Sequence, residues 1–445
     1  MSRRQPHFDD PEHRGDMAAA GAPTDTSRGR RATAGNVTEG GKATPGRSSR
    51  DRLDNIPLSE PLLAGRELEY VAECIREGWV SSAGKFVARF EAAVSKHTGA
   101  AHAVAVQSGT AALHVAMLAA GVEPGTEVLV PTVTFIAPVN AISYCGAHPV
   151  FLDVEPRFWQ LDADKLESFL VTRTRRETDG LYDAVTRRRI SGVVGVHLLG
   201  HPFDRDRIAA LAHAYALPLI EDAAQSFGAL YKGIPLGRDG DYVALSFNGN
   251  KVVTCGGGGM VLSSAESVAH RVRHLTTQAK QDALYFVHDE LGFNYRLTNV
   301  AAAIGTAQLE RLGPLLERKR AVHAEYARAL ADDDRVHVVG EALWARSSFW
   351  LPTITVRGGA ARRDRVLRSL RAAGIGSRPP WYVNHRQAMY AGEEAYEIEH
   401  AEQLVGTGLH LPGSPSLGAE QQAYVIARLR RALDETGDAA MTAGV

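Results

Sequence analysis

Six short apolar runs, alternating with helical patterns, constrain the fold of this chain more than any other feature. They are rich in Val, Ile and Leu and lie at residues 103–107, 127–131, 149–153, 192–197, 218–222 and 242–247. Helical patterns separate most of them, at residues 110–120, 137–145 and 204–216. Nearly continuous apolar strands that alternate with helices are typical of a mainly parallel sheet covered on both faces. The sequence therefore predicts an α/β fold.

The chain of 445 residues exceeds one ordinary domain, so we expect a large domain and a smaller one. Residues 1–51 contain hardly any aliphatic side chains, and we predict that they form a disordered tail. The charged stretch 173–189 interrupts the alternation and is predicted to be a surface insertion. A long helical pattern at 297–331 would lead from a large domain, residues 52–330, to a small C-terminal α/β domain, residues 331–445.

Charge, hydropathy and cysteine usage exclude several classes of protein. The net charge of −1 provides no field that would attract nucleic acid or an anionic membrane. No run of about 18 apolar residues predicts a membrane span, and the N terminus has no apolar signal core. Cys74, Cys145 and Cys255 lack the spacing of metal ligands and indicate a reducing compartment. We therefore expect a cytoplasmic protein without a metal site.

Lys251 lies between a polar turn and the four consecutive glycines 256–259. One interpretation is a flexible loop that contains a solvated lysine. Small neighbours, however, leave room for a flat molecule beside the amine. A lysine amine with a lowered pKa can form a Schiff base with an aldehyde cofactor such as pyridoxal phosphate. The segment alone leaves both interpretations open.

Three polar clusters follow predicted strands, where ligands of open α/β sheets gather. Residues 107–110 precede a helix whose first N–H groups could bind a phosphate, although an ordinary N-cap is the alternative. Asp222 could pair with a protonated pyridine nitrogen, although it could also simply cap a helix. The hydroxyl of Ser246 could reach a phosphate. With Lys251, these clusters supply what is needed to hold the phosphate, ring nitrogen and aldehyde of pyridoxal phosphate.

Five motifs follow one another along the chain, at residues 108–113, 131–135, 221–225, 246–251 and 292–296. In sequence and in order they resemble those of the DegT/DnrJ/EryC1/StrS family of sugar aminotransferases. The resemblance extends from about Ile56 to the C terminus. It implies a fold-type I, pyridoxal-phosphate-dependent transferase. Residues 56–61, 78–82 and 248–251 are most similar to the LegC-type branch. Members of that branch aminate the 4-keto group of nucleotide-linked 6-deoxyhexoses.

The resemblance implies a role at the cofactor for each matched residue. Lys251 would form the Schiff base and then move a proton between substrate and cofactor, and Asp222 would pair with the pyridinium nitrogen. Gln225 would contact the ring oxygen, and Phe135 would stack on the ring, with core packing as its alternative. The phosphate would be held by Gly109, Thr110, Ser246 and, from the neighbouring subunit, Asn294. The last contact implies a homodimer with shared active sites.

The resemblance is looser where the substrate would bind. Trp79, Ser81 and Ser82 are expected near the sugar pocket. Trp381, Tyr382 and His385 match positions at which relatives carry substrate-facing aromatic residues and a histidine. Asn384 departs from the Leu or Met that relatives commonly have there, which leaves the substrate in doubt. Arg296 could bind a substrate carboxylate or phosphate, and a surface salt bridge is the alternative.

The predicted function is transfer of an amino group from L-glutamate to a keto-sugar. The expected acceptor is the 4-keto group of a nucleotide-linked 6-deoxyhexose. Family members that dehydrate sugars at C3 carry histidine in place of the lysine, so Lys251 counts against that reaction. A 3-keto-sugar or a keto-cyclitol as acceptor remains an alternative. A regulator that binds pyridoxal phosphate without activity is a further one.

Overall fold

A ten-stranded sheet forms the centre of the computed structural model, which describes Leu53 and residues 55–438. The predicted tail, residues 1–51, lies outside the described residues. Among the described residues, no helix combines the length and the apolar character that crossing a bilayer requires. Cys74, Cys145 and Cys255 are all buried, and their thiols are free.

The strands are numbered along the chain. They are β1 (His102–Val106), β2 (Glu127–Pro131), β3 (His148–Leu152), β4 (Thr174–Glu177), β5 (Gly180–Asp183), β6 (Arg189–Val196), β7 (Leu219–Asp222), β8 (Leu230–Tyr231), β9 (Ile234–Pro235), β10 (Tyr242–Ser246), β11 (Gly259–Ser263), β12 (Lys280–Asp282), β13 (Val287–His288), β14 (Val336–Val338), β15 (Ala345–Arg346), β16 (Thr353–Val356), β17 (Ala395–Tyr396) and β18 (Gly408–His410).

The α-helices are numbered in the same way. They are α1 (Glu67–Glu77), α2 (Lys85–Thr98), α3 (Gly109–Ala119), α4 (Ile136–Tyr144), α5 (Ala163–Thr172), α6 (Arg205–Ala214), α7 (Glu266–Thr276), α8 (Asn299–Leu309), α9 (Leu312–Ala329), α10 (Gly359–Ala372), α11 (Ala401–Thr407) and α12 (Ala419–Asp438).

The large sheet is mainly parallel, in the order β1-β11-β10-β7-β6-β2-β3-β17. Every neighbouring pair from β10 to β17 is parallel, whereas β11 pairs antiparallel with both β1 and β10. Each of the six predicted strands overlaps an observed one, and the predicted fold class is confirmed. The antiparallel edge is a feature that the sequence pattern did not predict.

Both faces of the sheet are buried. Val128 and Val130 of β2 belong to one apolar cluster, whereas Leu129 between them belongs to another on the opposite side. All three side chains are buried. Because successive side chains of a strand point to opposite faces, this alternation requires covering helices on each side. It also explains why the strands are apolar at nearly every position.

The predicted surface insertion at residues 173–189 is an antiparallel extension of the large sheet. Strands β4 and β5 form a hairpin, and β5 pairs with β6. Leu181 and Asp183 of β5 are buried, while much of β4 is exposed. The charged sequence therefore pairs with the start of an inner strand of the sheet instead of standing apart from the fold.

A separate three-stranded sheet, β14-β16-β18, lies in the last part of the chain. Its apolar cluster includes side chains from α9, α10 and α12, such as Tyr326, Leu370 and Leu429. The long helical pattern at 297–331 is two helices, α8 and α9, which meet at residues 310–311. The division into domains at residues 52–330 and 331–445 stays a prediction.

The parallel strands bring polar groups to one edge of the large sheet. Asp222 ends β7 and Ser246 ends β10, and these two strands are parallel neighbours. Helix α3 begins immediately after the loop that follows β1. The segment between β10 and β11 carries Lys251. The fold thus assembles the predicted clusters at one edge of the sheet, at the carboxyl ends of β1, β7 and β10.

Gly259 provides a test of how closely β11 approaches the start of α3. A Cβ at this position would lie 2.3 Å from the carbonyl oxygen of Ser108 and 2.8 Å from the amide nitrogen of Gly109. Because both partners are backbone atoms held by regular structure, the contact cannot relax cheaply. We expect Gly259→Ala to lower the free energy of unfolding by about 1–3 kcal/mol, measured by urea denaturation.

Gly313→Ala is the matched control, because a Cβ at Gly313 in α9 would meet nothing within 4 Å. Alanine is the better helix former, so this variant should be neutral or more stable by about 0.5–1 kcal/mol. An equal loss of stability in both variants would contradict the steric explanation.

Candidate functional site

A cavity of about 340 Å³ opens at the carboxyl ends of β7 and β10. Several predicted site residues line it: Gly109, Thr110, Phe135, Asp222, Gln225, Ser246, Lys251 and Trp381. The structure thus brings together all of the predicted cofactor residues except Asn294. Other residues that sequence reasoning did not assign complete the walls, among them Asn250, Trp350 and Arg378.

Lys251 extends from a tight turn into this cavity. Its backbone N–H donates to the carbonyl oxygen of Asn248 at 3.0 Å, which sets the turn. Removal of the amine from water lowers the pKa of Lys251 to about 8, and the negative charge of Asp222 opposes this effect. An amine with such a pKa is partly uncharged near neutral pH and can act as a nucleophile or a base.

Asp222 is the buried carboxylate of the site. It is 4% exposed, and its Oδ1 accepts a hydrogen bond from the backbone N–H of Ala224 at 2.9 Å. Burial raises the pKa of Asp222, while the Ala224 N–H and the charge of Lys251 lower it. A cationic ring nitrogen placed beside this carboxylate would further favour its ionised form.

The N terminus of α3 supplies a site for an anion. Ser108 is the N-cap, and its Oγ accepts from the Ala111 N–H at 3.1 Å. The Ser108 carbonyl oxygen accepts from the Ala112 N–H at 3.0 Å. The preceding N–H groups, at Gly109 and Thr110, have no partners inside the helix and carry the positive end of its dipole. The capping alternative is therefore correct for Ser108 and is compatible with anion binding by its neighbours.

Ser246 lies directly against this helix terminus. A Cβ added to Gly109 would come within 2.7 Å of the Ser246 Cβ, so only glycine allows the two elements to meet this closely. The Ser246 hydroxyl oxygen accepts a weak hydrogen bond from the Asn248 N–H at 3.4 Å. The hydroxyl and the helix N–H groups therefore form one small polar cradle on the cavity wall.

Gln225 is oriented by a single strong contact. Its Oε1 accepts a hydrogen bond from the Leu199 N–H at 2.7 Å, and the side chain is buried. Because a backbone N–H requires the oxygen of the amide, the amide NH₂ is the end that can donate to a ligand in the cavity. This polarity suits a contact with a ring oxygen.

Phe135 and Trp381 form an aromatic wall. Phe135 is 50% exposed, and its ring meets that of Trp381 edge-to-face with centroids 6.5 Å apart. Core packing, the alternative for Phe135, does not describe a side chain that is half exposed on the cavity wall. The half-exposed Phe135 ring offers a flat face on which a planar ligand could stack.

Most of the residues predicted to bind substrate lie outside the cavity lining. Trp381 lines the cavity, whereas exposed Tyr382 does not, although it is adjacent in sequence. His385 is turned into the protein, with Nδ1 2.7 Å from the Thr132 hydroxyl and Nε2 3.2 Å from Glu402. Three further residues are exposed and lie outside the cavity lining: Trp79, Ser81 and Ser82.

Arg296 forms the salt bridge that the sequence analysis left as its alternative. Its guanidinium donates to a Glu91 carboxylate oxygen at 2.8 Å and to the Ala105 carbonyl oxygen at 2.9 Å. It does not line the cavity of its own chain. Asn294, two residues earlier, is exposed and also lies outside that cavity. Its predicted contact requires a second copy of the chain.

Trp350 is the most important residue that sequence reasoning missed. Its ring centroid lies 3.9 Å from the Lys251 Nζ, although the two residues are far apart in the sequence. No local pattern marks Trp350, which stands between two short strands. Arg378, by contrast, opens the segment that was expected to face the substrate and could have been found there.

The chain is similar along most of its length to known proteins. The family model described as the DegT/DnrJ/EryC1/StrS aminotransferase family matches residues 61–430. The GDP-perosamine synthase of Caulobacter vibrioides is 38% identical over 383 residues, which cover 86% of this chain and 99% of that protein. The putative pyridoxal phosphate-dependent aminotransferase EpsN of Bacillus subtilis is 36% identical over 375 residues, covering 83% and 94%.

A solved structure is similar in fold as well as in sequence. The crystal structure of DesI in the presence of its TDP-sugar product matches with a TM-score of 0.76 and 27% identity. The match covers 87% of this chain and 96% of DesI.

The pKa of Lys251 predicts how its amine reacts with pyridoxal phosphate. Only the uncharged amine attacks an aldehyde, so the rate of covalent capture by cofactor-free protein should rise with pH through a midpoint near 8. Asp222→Asn removes the charge that favours the ammonium form, and this midpoint should then fall. The measurement is the visible absorbance of the protein-bound cofactor, followed over time at each pH.

Asp206→Asn serves as the control, because Asp206 is exposed and pairs with Lys232 away from the cavity. It should leave the midpoint unchanged. A midpoint close to that of a free lysine, about 10.4, would contradict the inferred environment of Lys251.

Proposed function

Because this chain belongs to the DegT/DnrJ/EryC1/StrS aminotransferase family and is a pyridoxal-phosphate-dependent sugar aminotransferase, we propose its donor and its acceptor. The donor is L-glutamate, and the acceptor is the 4-keto group of a nucleotide-linked 6-deoxyhexose. One observation supports the type of reaction: the Lys251 amine, the Asp222 carboxylate and the N terminus of α3 share one cavity.

The residues of the cavity fit pyridoxal phosphate. The cradle formed by α3 and Ser246 suits its phosphate, because Gly109 lets the Ser246 hydroxyl lie against the first N–H groups of the helix. Asp222 suits its ring nitrogen, and the aromatic wall of Phe135 and Trp381 suits its flat ring. When bound, the cofactor supplies an electron sink for charge that develops at the substrate carbon.

Asp222 and Lys251 would then have separate roles. The buried Asp222 carboxylate would keep the ring nitrogen charged. The Lys251 amine would first bond to the cofactor and later remove and return the proton at the reacting carbon. Its lowered pKa matches this double role, because a general base works best with a pKa near the working pH.

The names of the relatives support a nucleotide sugar as the acceptor. One relative is named for GDP-perosamine, and DesI was solved with a TDP-sugar product. The higher identity to the former favours a GDP-linked sugar for this chain. The LegC-type branch, a 3-keto-sugar acceptor and a keto-cyclitol acceptor remain alternatives. Cytoplasmic localisation stays a prediction from the sequence.

The proposed acceptor is tested by comparing a panel of candidate nucleotide sugars. Holoenzyme and L-glutamate are incubated with GDP-, dTDP- and UDP-linked 4-keto-6-deoxyhexoses, and the amino-sugar product is measured by mass spectrometry. We expect turnover with the GDP-linked sugar, and Lys251→Arg should reduce it roughly a thousandfold or more. Lys232→Arg, at an exposed lysine, should retain the wild-type rate.

Two results of this experiment would contradict the proposal. Turnover of only a 3-keto-sugar or a keto-cyclitol would replace the proposed acceptor. A wild-type rate in Lys251→Arg would overturn the assignment of the reacting amine.

We further propose a homodimer in which Asn294 enters the cavity of the partner subunit. Asn294 is exposed, and the nearby hairpin of β12 and β13 and the chain that follows it carry an apolar surface. Its exposed side chains are Leu284, Tyr285, Phe286, Val287 and Leu291. A contiguous apolar patch on a soluble protein commonly marks a protein interface.

Mixing two inactive variants tests the shared site. Lys251→Ala and Asn294→Ala proteins should each lose activity, because each lacks one half of the site. After exchange of subunits, mixed dimers would contain one intact site. Activity should therefore return to about a quarter of the wild-type value, since half of the dimers are mixed and each has one working site. No recovery, despite subunit exchange shown by native mass spectrometry, would contradict a contact from the partner.

A further inference from the structure

The indole of Trp350 is the closest aromatic partner of the lysine amine in the described cavity. The side chain is 4% exposed, and its ring centroid lies 3.9 Å from the Lys251 Nζ. An ammonium over an indole face is attracted by the negative charge of that face, and tryptophan is the strongest such partner. Trp350 therefore contacts the reacting group itself.

Hydrogen bonds fix Trp350 at both its side chain and its backbone. The indole Nε1–H donates to the carbonyl oxygen of Asn250, the residue before Lys251, at 2.7 Å. The Trp350 carbonyl oxygen accepts from the buried Lys319 Nζ at 3.0 Å, and its backbone N–H donates to Leu199 at 3.1 Å. The side-chain bond connects the ring directly to the loop that carries the reacting lysine.

Two ring contacts reinforce this placement, one made by Trp350 and one made by the residue before it. The Trp350 ring lies nearly parallel to that of Trp381, at 7° with centroids 6.2 Å apart. Phe349, the preceding residue, has a φ of +44° and stacks on His323 with centroids 3.6 Å apart. A bulky residue adopts a positive φ only where its surroundings enforce it. The orientation of Trp350 is therefore determined by contacts on several elements.

Few other charges face the lysine. Among the described residues that line the cavity, Asp222 and Arg378 are the other charged groups, and Lys319 lies behind Trp350 on α9. Asp222 attracts the Lys251 ammonium, and Arg378 is a cation that cannot do so. Within this set, the face of Trp350 is the second group that stabilises the charged amine.

We propose that Trp350 is a positioning residue for Lys251. Its indole face holds the lysine ammonium at one place in the cavity, and its N–H fixes the loop from which the lysine extends. The inference rests on the proposed function, since it takes Lys251 as the reacting amine. A lysine side chain is long and flexible, so a fixed location for its amine shortens the search that precedes each proton transfer.

The first test alters the electron density of the indole face at nearly constant volume. Cofactor-free protein is prepared with tryptophan or with 5-fluorotryptophan, in wild-type and Trp350→Phe forms. The pKa of Lys251 is measured by competitive amine labelling across a pH series and peptide mass spectrometry, with Lys96 as the reference. Fluorine weakens the attraction for a cation, so the pKa should fall by about 0.3–1 in the wild-type protein.

The Trp350→Phe protein is the control for this test, because the other four tryptophans still carry fluorine. It should show no change on fluorination. An equal fall in both proteins, or no fall in the wild type, would overturn the proposal. If Trp350→Phe does not fold, the comparison of fluorinated and unmodified wild-type protein still decides whether the indoles stabilise the ammonium.

The second test separates positioning from substrate binding. Trp350→Phe keeps a ring but loses the N–H that bonds to Asn250, so we expect kcat to fall about tenfold, with KM for both substrates within about twofold. Trp344→Phe loses a longer indole N–H bond, of 3.4 Å to the Pro202 carbonyl oxygen, outside the cavity, and should keep both constants. A rise in KM alone would make Trp350 part of the substrate wall and overturn the positioning role.

The first test fails independently of the proposed function, whereas the second requires turnover. The lysine titration uses no sugar and no donor, so an acceptor panel without turnover leaves it unaffected. Conversely, active transamination with an unchanged lysine pKa would reject only the role of Trp350.

Discussion

The rest of the site depends on the enclosure of one amine and one carboxylate in the same small cavity. Each group alone would be costly to remove from water in its charged form. Burial lowers the pKa of Lys251 and raises that of Asp222, and the attraction between their charges opposes both shifts. The pair is thus poised between charged and neutral states. A small change in the surroundings, such as the arrival of a cationic ring, can decide which state prevails.

The scaffold achieves this enclosure by close approaches of backbone. Gly109 allows α3 to meet Ser246, and Gly259 allows β11 to touch the same helix terminus. These contacts join three elements around the N terminus of α3. The glycines near Lys251 therefore serve partly to bring backbones together, not only to make a flexible loop. Gly256 and Gly258, with positive φ, also turn the chain back into β11.

Local sequence patterns were sufficient to predict the parallel strands of the sheet and the polar residues at their carboxyl ends. Strands β2 and β7 are bounded by turn signals, and Asp222 follows an apolar run directly, so chain order alone places such residues at one edge. The antiparallel placement of β11 could not be predicted, because its apolar sequence is compatible with either direction. Two contacts could not be predicted for another reason: Trp350 with Lys251, and Arg296 with Glu91. Each contact joins segments that are far apart in sequence and that only the folded chain brings together.

The buried state of Cys255 has a chemical consequence for its neighbour four residues away. Thiols compete with amines for aldehydes, and a reactive thiolate beside Lys251 would divert them into dead-end adducts. Cys255 is enclosed against Gly305, where a Cβ would lie 2.4 Å from its sulfur, and burial raises the pKa of the thiol far above its usual range. A buried thiol with a raised pKa carries little thiolate and is a weak nucleophile. On this segment, an aldehyde would therefore react with the Lys251 amine and not with the Cys255 thiol.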